Sequence, residues 1–255
     1  MEYLVSASSD IGISKHTNQD SLTVKVARCS MGTVAFAVLC DGMGGLEQGE
    51  VASATVVQEF AEWFCNGFAS NSIHTVEDYM IKEQWGTMIT SLNSKISAYG
   101  NSKGIRLGTT LTALLLTPNR YYVVNVGDTR AYELTSSLRL LTEDQTLVNR
   151  EQKQGLLTEE QAKVDPRRSV LLQCIGASKE VYPDMFFGTP KKDAVYMLCS
   201  DGFRHEITED EIYHHLCPNV LISKEQMMAN CQYLIEVNKQ RQERDNISVI
   251  TIRTY

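Results

Sequence analysis

The chain of 255 residues is long enough for one large domain or two small ones, and its 43% hydrophobic and 22% charged residues are ordinary for a globular protein with a sizeable core. Its net charge of −7 argues against a nucleic-acid partner, because a phosphate backbone favours a basic surface. Seven cysteines without a C-x-x-C pair predict reduced thiols in a cytoplasmic protein, and no apolar run approaches the roughly 20 residues of a membrane span.

Strands are the first elements that the sequence predicts. Leu22, Val24 and Val26 alternate with polar residues, whereas 33–40 is apolar on both faces and therefore typical of a central strand. Two amphipathic helices follow, with their apolar faces running from Ala52 to Phe64 and from Ile81 to Ile96. Further strands are predicted at 110–117 and 121–126, followed by a hairpin at 130–134 and 138–141.

The segment from 142 to 179 is polar and interrupts the strands. Thr158 marks a helix start and Pro166 a break, so we expect short helices outside the sheets that form a flap over a site. Thr208 and Glu211 then match a capping box. The remaining predicted elements are strands at 185–188, 195–199 and 247–252 and a helix at 224–239.

No repeat, low-complexity tract or linker divides the chain, so we expect a single domain spanning 1–255. Strands from both ends, with two helices inserted early and two late, indicate the α+β class with sheets packed together and helices outside. Periodicity does not fix the strand order.

Aspartates stand at the ends of the strand-like runs, several of them beside a glycine. Hard divalent cations take oxygen ligands, and carboxylates held on rigid strand ends can supply them. A single Asp-Gly pair is usually an ordinary turn, so the prediction depends on the combination. The residues are Asp20, Asp41-Gly42, Gly127-Asp128, Asp201-Gly202 and Asp245-Asn246. Gly42, Gly44 and Gly45 would also let a backbone carbonyl approach a cation or a phosphate closely.

Six segments in a fixed order carry a resemblance to a known family. They are KHTNQD at 15–20, DGMGG at 41–45, GTT at 108–110, GDTR at 127–130, CSDG at 199–202 and RDNIS at 244–248. Their order resembles the metal-dependent serine/threonine protein phosphatases of type 2C, the PPM family, in the compact bacterial form. The resemblance covers nearly the whole chain and includes the flap segment.

The resemblance implies a four-layer αββα sandwich, in which two antiparallel sheets carry a helix pair on each outer face. It also implies a centre of two Mn²⁺ or Mg²⁺ ions, with a third and weaker one nearby. By position, Asp41 would bridge two ions and the carbonyl of Gly42 would hold one of them. Asp201 and Asp245 would complete the shell of the first ion, Asp20 would act through water on the second, and Asp128 would help hold the third. Lys15 would bind the substrate phosphate.

Such a centre lowers the pKa of a bridging water and clamps phosphoryl oxygens, which allows in-line attack on phosphorus. The implied function is hydrolysis of phosphoserine and phosphothreonine on proteins that a serine/threonine kinase has modified. We expect a monomer without a nucleic-acid or membrane partner.

Five positions depart from the family pattern. Lys15 replaces an arginine and offers a point charge rather than a fork, and Gln19 replaces a commoner glutamate. Met43 stands where some eukaryotic relatives carry a histidine proposed as the general acid. Gln145 and Asp165 stand where histidines are frequent in the flap, and we expect them to affect substrate choice or metal exchange.

Two other functions remain open from the sequence. One is a catalytically weak, metal-binding module that recognises phosphoproteins, and the other is a hydrolase of small phosphate monoesters. The presence of Asp41, Asp201 and Asp245 favours catalysis over the first, whereas rates on a phosphopeptide and a sugar phosphate would separate the second.

Overall fold

Two antiparallel five-stranded sheets form the centre of the computed structural model, which describes residues 1–43, 48–70 and 76–255. The first sheet contains, in spatial order, β1 (Tyr3–Asp10), β10 (Ile247–Thr254), β9 (Val195–Cys199), β6 (Arg130–Leu134) and β7 (Leu138–Leu140). The second contains β2 (Asp20–Cys29), β3 (Gly32–Asp41), β4 (Leu111–Leu116), β5 (Tyr121–Val126) and β8 (Asp184–Gly188).

The two sheets pack face to face through alternate residues of their strands. Ala37 and Leu39 of β3 belong to the same buried cluster as Leu198 of β9 and Ile250 of β10. The intervening residues of β3, among them Phe36, point away from this layer and pack against helices. Because β3 is buried on both faces, it reads as a continuous apolar run rather than an alternating one.

One helical layer covers the second sheet. It consists of α1 (Gly49–Glu62), a π-helical continuation (Trp63–Phe68) and α2 (Asp78–Lys103). Phe36 of β3 stacks on Phe64 with ring centroids 4.9 Å apart. The fully buried Trp85 of α2 also packs against the ring of Phe36. Such aromatic contacts add to the hydrophobic stabilisation of this layer.

The other helical layer covers the first sheet, where α6 (Glu209–Leu216) and α7 (Lys224–Gln240) pack on β9 and β10. The capping box at the start of α6 is confirmed, since Thr208 accepts from the backbone of Glu211 and donates its own backbone N–H to that side chain at 2.8 Å. The four-layer αββα arrangement is thereby confirmed.

The flap leaves the sheets after β7 and carries α3 (Leu147–Lys153) and α4 (Glu159–Val164). Thr158 begins α4 with a capping box, as the sequence predicts. The flap returns beside Thr109, whose backbone exchanges hydrogen bonds of 3.0 and 2.9 Å with Ile175. Thr109 also pairs with Gly42, so the base of the flap lies against the end of β3.

The strands 121–126, 130–134 and 195–199 are observed with the predicted bounds. Two elements are not predicted from the sequence. One is β1, which pairs with β10 along its whole length, and the other is the short helix α5 (Asp201–Arg204) after β9. Within the described ranges, no helix has both the length and the apolar character needed to cross a membrane.

Candidate metal centre

Asp20 and Asp41 begin the site on the second sheet. Asp20 is the first residue of β2 and Asp41 the last of β3, and the two are direct partners across this antiparallel pair. Partners in such a pair project their side chains from the same face of the sheet. The strand register therefore places two carboxylates side by side at one end of the sandwich.

The backbone of Asp41 is fixed by two neighbouring threonines. Its N–H donates to the hydroxyl of Thr110, and its carbonyl accepts from the Thr110 N–H and the Thr109 hydroxyl, all at 2.9 Å. These bonds use only main-chain atoms of Asp41. Its carboxylate is therefore left for another partner.

Gly42 is buried directly after Asp41, and its N–H donates to the carbonyl of Gln19 at 3.1 Å. A Cβ at this position would lie 2.5 Å from the carbonyl oxygen of Gly49 at the start of α1. The close approach of three backbone segments thus requires glycine here. Gly44 and Gly45 lie outside the described residues.

Asp201 and Asp245 approach from the first sheet, Asp201 just after β9 and Asp245 just before β10. The adjoining strand ends are joined by bonds of 3.0 Å from the Ser200 N–H to the Ser248 carbonyl and from the Ser248 N–H to the Ser200 hydroxyl. Gly202 lies so close to the next segment that a Cβ there would overlap the carbonyl oxygen of Asn246. The two aspartates are thereby held on adjacent backbone segments.

The loop that carries Lys15 is attached to the same segment by Asn246. The side chain of Asn246 accepts from the Gln19 N–H at 2.8 Å and donates to the carbonyl oxygens of Ile11 and Thr17 at 3.0 and 3.3 Å. The sequence motif that contains Asn246 does not by itself assign this residue a role. Its role in the structure is to close the loop over the centre.

Lys15 makes an ion pair with Asp245, with Nζ 2.8 Å from Oδ1. Burial disfavours its charge, yet the hydrogen bond to Asp245 and the charges of Asp245, Asp41 and Asp201 raise its pKa. Its side chain remains 29% exposed. The ammonium group therefore sits at the mouth of the acidic centre in its charged form.

Burial dominates the electrostatics of Asp20. It raises the pKa of this carboxyl to about 7, with the hydroxyls of Ser248 and Ser200 opposing the shift and the charges of Asp201 and Asp245 adding to it. Although these hydroxyls are near, neither carboxylate oxygen of Asp20 has a hydrogen-bond partner among the residues that the structure describes. Within those ranges, no hydrogen bond compensates the charged form of Asp20.

Asp41 is affected in the same way. Burial raises its pKa well above the usual value, and Asp20, Asp201, Asp245 and Asp128 add to the shift in that order. Like charges that share a buried site disfavour one another's ionised forms. All five predicted acidic residues therefore belong to one interacting cluster, with Lys15 beside it.

Asp128 lies on the side of the cluster that faces the flap. Burial and Asp201 raise its pKa to about 7, against the nearby charge of Arg204. The guanidinium of Arg204 donates to the Asp128 carbonyl at 3.1 Å and lies 3.4 Å from Asp144, which also makes two bonds of 2.8 Å with Arg130. Asp128 thus stands beside a buried ion-pair network.

The donor set fits a hard divalent cation. Both oxygens of Asp20 and Oδ1 of Asp201 are buried, and no described residue forms a hydrogen bond with them. Such orphaned oxygens are costly unless a cation or a proton compensates them. In the part of the chain that the structure describes, no three acidic, histidine or cysteine side chains are already gathered at metal-ligand spacing. A bound ion would have to draw the carboxylates together against their mutual repulsion.

The remaining departures from the family pattern have structural partners. The Gln19 side chain donates to Glu50 at 3.3 Å, and the Met43 N–H donates to the Gly108 carbonyl at 3.0 Å. Gln145 accepts from the Gly127 N–H at 2.9 Å and so connects the flap to the Asp128 loop. Asp165 is ion-paired with Arg167 within the flap at 2.8 Å.

Sequence analysis missed three residues at the centre. Gly12 has a φ of +77°, and a Cβ there would overlap the carbonyl oxygen of Asp245. His205 and Glu243 are ordinary surface types in the sequence, but both are largely buried between Asp201 and Asp245. The four-residue spacing of Asp201 and His205 was the one available signal, because residues i and i+4 share a helical face.

Without metal, we expect the protein to melt at a lower temperature at pH 8 than at pH 5. The pKa values of Asp20 and Asp128 in the folded protein, about 7, lie above the 3.8 of an unperturbed aspartate side chain. The protonated forms of these two carboxyls therefore make their full contribution to the free energy of unfolding below about pH 4, and this contribution is lost as the pH rises through 7. Added Mn²⁺ should reduce this loss, since it takes the place of the protons.

Calorimetry of EDTA-treated and Mn²⁺-loaded protein across this range tests the expectation, with Asp20→Asn as the variant that should flatten the metal-free slope. A metal-free melting temperature that rises from pH 5 to pH 8 would contradict it.

Comparison with known proteins places this centre in context. A family model described as Protein phosphatase 2C matches residues 13–242. A serine/threonine phosphatase stp of Listeria welshimeri is 29% identical over 247 residues, covering 96% of this chain and 93% of the relative. The serine/threonine phosphatase structure of S. agalactiae superposes with a TM-score of 0.84 at 28% identity and covers 100% of both chains. The catalytic domain of the serine/threonine protein phosphatase PstP, solved with 2 manganese ions, superposes with a TM-score of 0.79 at 27% identity. The superposition covers 98% of this chain and 97% of the PstP domain.

Proposed function

Because the chain belongs to the protein phosphatase 2C family and is a metal-dependent serine/threonine phosphatase, we propose that hydrolysis takes place at the acidic centre between its two sheets. The observation that carries the proposal is a group of buried carboxylate oxygens on Asp20 and Asp201 that have no hydrogen-bond partner within the described ranges 1–43, 48–70 and 76–255. Such oxygens on rigid strand ends are suited to binding a cation.

The proposed centre holds two Mn²⁺ or Mg²⁺ ions, with a third and weaker one near the flap. When bound, such ions would supply an activated water as nucleophile and neutralise charge on the phosphoryl group. The carboxylates would approach this centre from both sheets, and the Gly42 carbonyl would approach it from the end of β3. The residues assigned to metal binding are Asp20, Asp41, Gly42, Asp128, Asp201 and Asp245, of which Asp41, Asp201 and Asp245 are the catalytic set.

Lys15 would receive the substrate phosphate. Its ammonium group is partly exposed and already bound to a carboxylate of the centre, so an arriving phosphate finds a positive charge at the mouth of the site. We expect Lys15→Met to raise the KM for a phosphothreonine peptide roughly tenfold or more, because one charge-assisted hydrogen bond is lost. The kcat should change less.

Steady-state kinetics at saturating Mn²⁺ would measure this split, with Lys15→Arg as the charge-retaining control. An unchanged KM in the methionine variant would remove Lys15 from the phosphate site.

We propose phosphorylated proteins as substrates, in particular the products of a serine/threonine kinase. The Listeria and S. agalactiae relatives are named as serine/threonine phosphatases, which supports a phosphorylated side chain as the reacting group. We further propose that residues 1–255 act as one catalytic domain, as a monomer in the cytoplasm.

The test is phosphate release from a phosphothreonine peptide with added Mn²⁺, with EDTA, and with Mn²⁺ restored after EDTA, beside a sugar phosphate under the same conditions. We expect release that requires the metal, returns with it and is much faster on the peptide. Faster release from the sugar phosphate would indicate a hydrolase of small phosphate monoesters. No release from folded, Mn²⁺-loaded protein would favour a phosphoprotein-binding module.

A further inference from the structure

Glu243 is a buried glutamate in the turn between α7 and β10. Its Oε1 accepts hydrogen bonds from the backbone N–H groups of Arg244 at 2.6 Å and Asp245 at 2.8 Å. Its side chain is only 7% exposed. One of its oxygens therefore fixes the main chain of Asp245 from inside the protein.

The other oxygen of Glu243 faces His205. Nδ1 of His205 lies 3.3 Å from Oε2 of Glu243, and Nε2 lies 3.5 Å from Oδ2 of Asp201. His205 caps the C-terminus of α5 with a backbone that is still helical, one turn after Asp201, so both side chains lie on the same face. The ring thus stands between two carboxylates, with one nitrogen toward each.

This contact distinguishes the two oxygens of Asp201. Oδ2 faces the histidine, whereas Oδ1 is buried and has no hydrogen-bond partner in the described part of the chain. A neighbour that holds one oxygen of a carboxylate also fixes the direction of the other. Removing such supporting contacts from metal ligands typically weakens metal binding about 10–100-fold.

We propose that His205 and Glu243 form a positioning pair that fixes Asp201 and Asp245 relative to each other for metal binding. The inference rests on the proposed function. Glu243 acts on Asp245 through its backbone and on Asp201 through His205, so a single buried carboxylate aligns two ligands from separate segments. Neither member touches the substrate.

A purely structural ion pair would have a different signature. Buried ion pairs are weak evidence for stability, and the loss of one partner lowers stability without any specific effect on a ligand. A positioning pair instead changes metal affinity, and its two members act through one chain of contacts. Their effects on Mn²⁺ binding should therefore not add.

The experiment is titration calorimetry of Mn²⁺ into metal-free protein for the wild type, Glu243→Gln, His205→Ala and the double variant. We expect each single variant to raise the Kd for Mn²⁺ about 10–100-fold. The Kd of the double variant should equal that of the single variant that binds Mn²⁺ more weakly. His205→Gln, whose amide can still donate to Asp201, should lose less than His205→Ala. The matched controls are Glu236→Gln, on a half-buried position of α7, and His214→Ala, on an exposed position of α6.

Single variants that lower the metal-free melting temperature and leave the Kd unchanged would reduce the pair to a structural contact and overturn the proposal. Losses in affinity that add in the double variant would show that the two residues act separately, which also overturns it. If Glu243→Gln does not fold, the two His205 variants still decide the matter by their order of affinity. Failure of the wild type to bind Mn²⁺ would instead remove the proposed centre, and the pair with it.

Discussion

Replacing Asp41 with asparagine is expected to reduce kcat/KM for a phosphothreonine peptide by about 1,000-fold or more, or roughly 4 kcal/mol of transition-state stabilisation. Asp41 is the carboxylate that interacts with all four other acidic residues of the centre. Asparagine keeps the shape but removes the charge that a hard cation requires. Kinetics over a range of Mn²⁺ concentrations would measure the loss.

The same variant should fold well. Its contacts with Thr109 and Thr110 use only backbone atoms, which asparagine retains. Because a repelled buried carboxylate is removed, the metal-free protein should melt at the same or a higher temperature. The rise in melting temperature on adding Mn²⁺ should shrink. The pairing of normal folding with lost activity identifies a role in metal binding rather than in the core.

Asp193→Asn is the matched control, since it makes the same chemical change before β9, at the strand end away from Asp201. Its backbone has a φ of 51°, which asparagine adopts readily, and its activity should be unchanged. If Asp41→Asn retains more than a tenth of wild-type activity at saturating Mn²⁺, Asp41 is not a catalytic metal ligand.

Gly202→Ala is expected to cost about 1–3 kcal/mol of unfolding free energy and to lower activity by roughly 100-fold. The added Cβ would overlap the carbonyl oxygen of Asn246 and lie 3.3 Å from the Cβ of Asp245. Backbone atoms cannot rotate away as a flexible side chain can. The segment with Asp245 must therefore move away from Asp201, which separates two of the proposed ligands.

Denaturant unfolding and steady-state kinetics on the same preparation would test this, with Gly86→Ala as control. Gly86 lies within α2 with no atom within 4 Å of the position of an added Cβ, so alanine there should stabilise the helix by up to about 1 kcal/mol without changing activity. Normal activity and stability in Gly202→Ala would show that the two segments are not as tightly packed as the contacts indicate.

Most of the fold is predictable because its strands are continuous buried runs with clear boundaries. β5 and β9 are buried along their whole length and β6 at every residue except Arg130, and all three match their predicted bounds. β1 is not predicted, because its apolar run is limited to Tyr3–Val5 and the rest of this edge strand is serine-rich and partly exposed. Its pairing depends on β10, at the other end of the chain, which local periodicity does not report.

The candidate site divides in the same way. The aspartates are identifiable because each follows or precedes a strand-like run, so their position relative to the sheet is encoded locally. His205 and Glu243 were missed because their significance comes from a contact between distant segments. Glutamate and histidine are commonly surface residues, and only the packing of α5 against the turn before β10 buries them.

The pairing of β1 with β10 has a consequence for the order of assembly. The partners run from Tyr3 with Thr254 to Asp10 with Ile247, so β1 enters its sheet only by pairing with a strand that lies far along the chain. β10 also separates β1 from β9, and Asp245 lies two residues before it. Until β10 is in place, the first sheet therefore lacks an interior strand and Asp245 is not held beside Asp201. Because such long-range closure favours slow folding, we expect the proposed metal centre to form late when the denatured protein refolds.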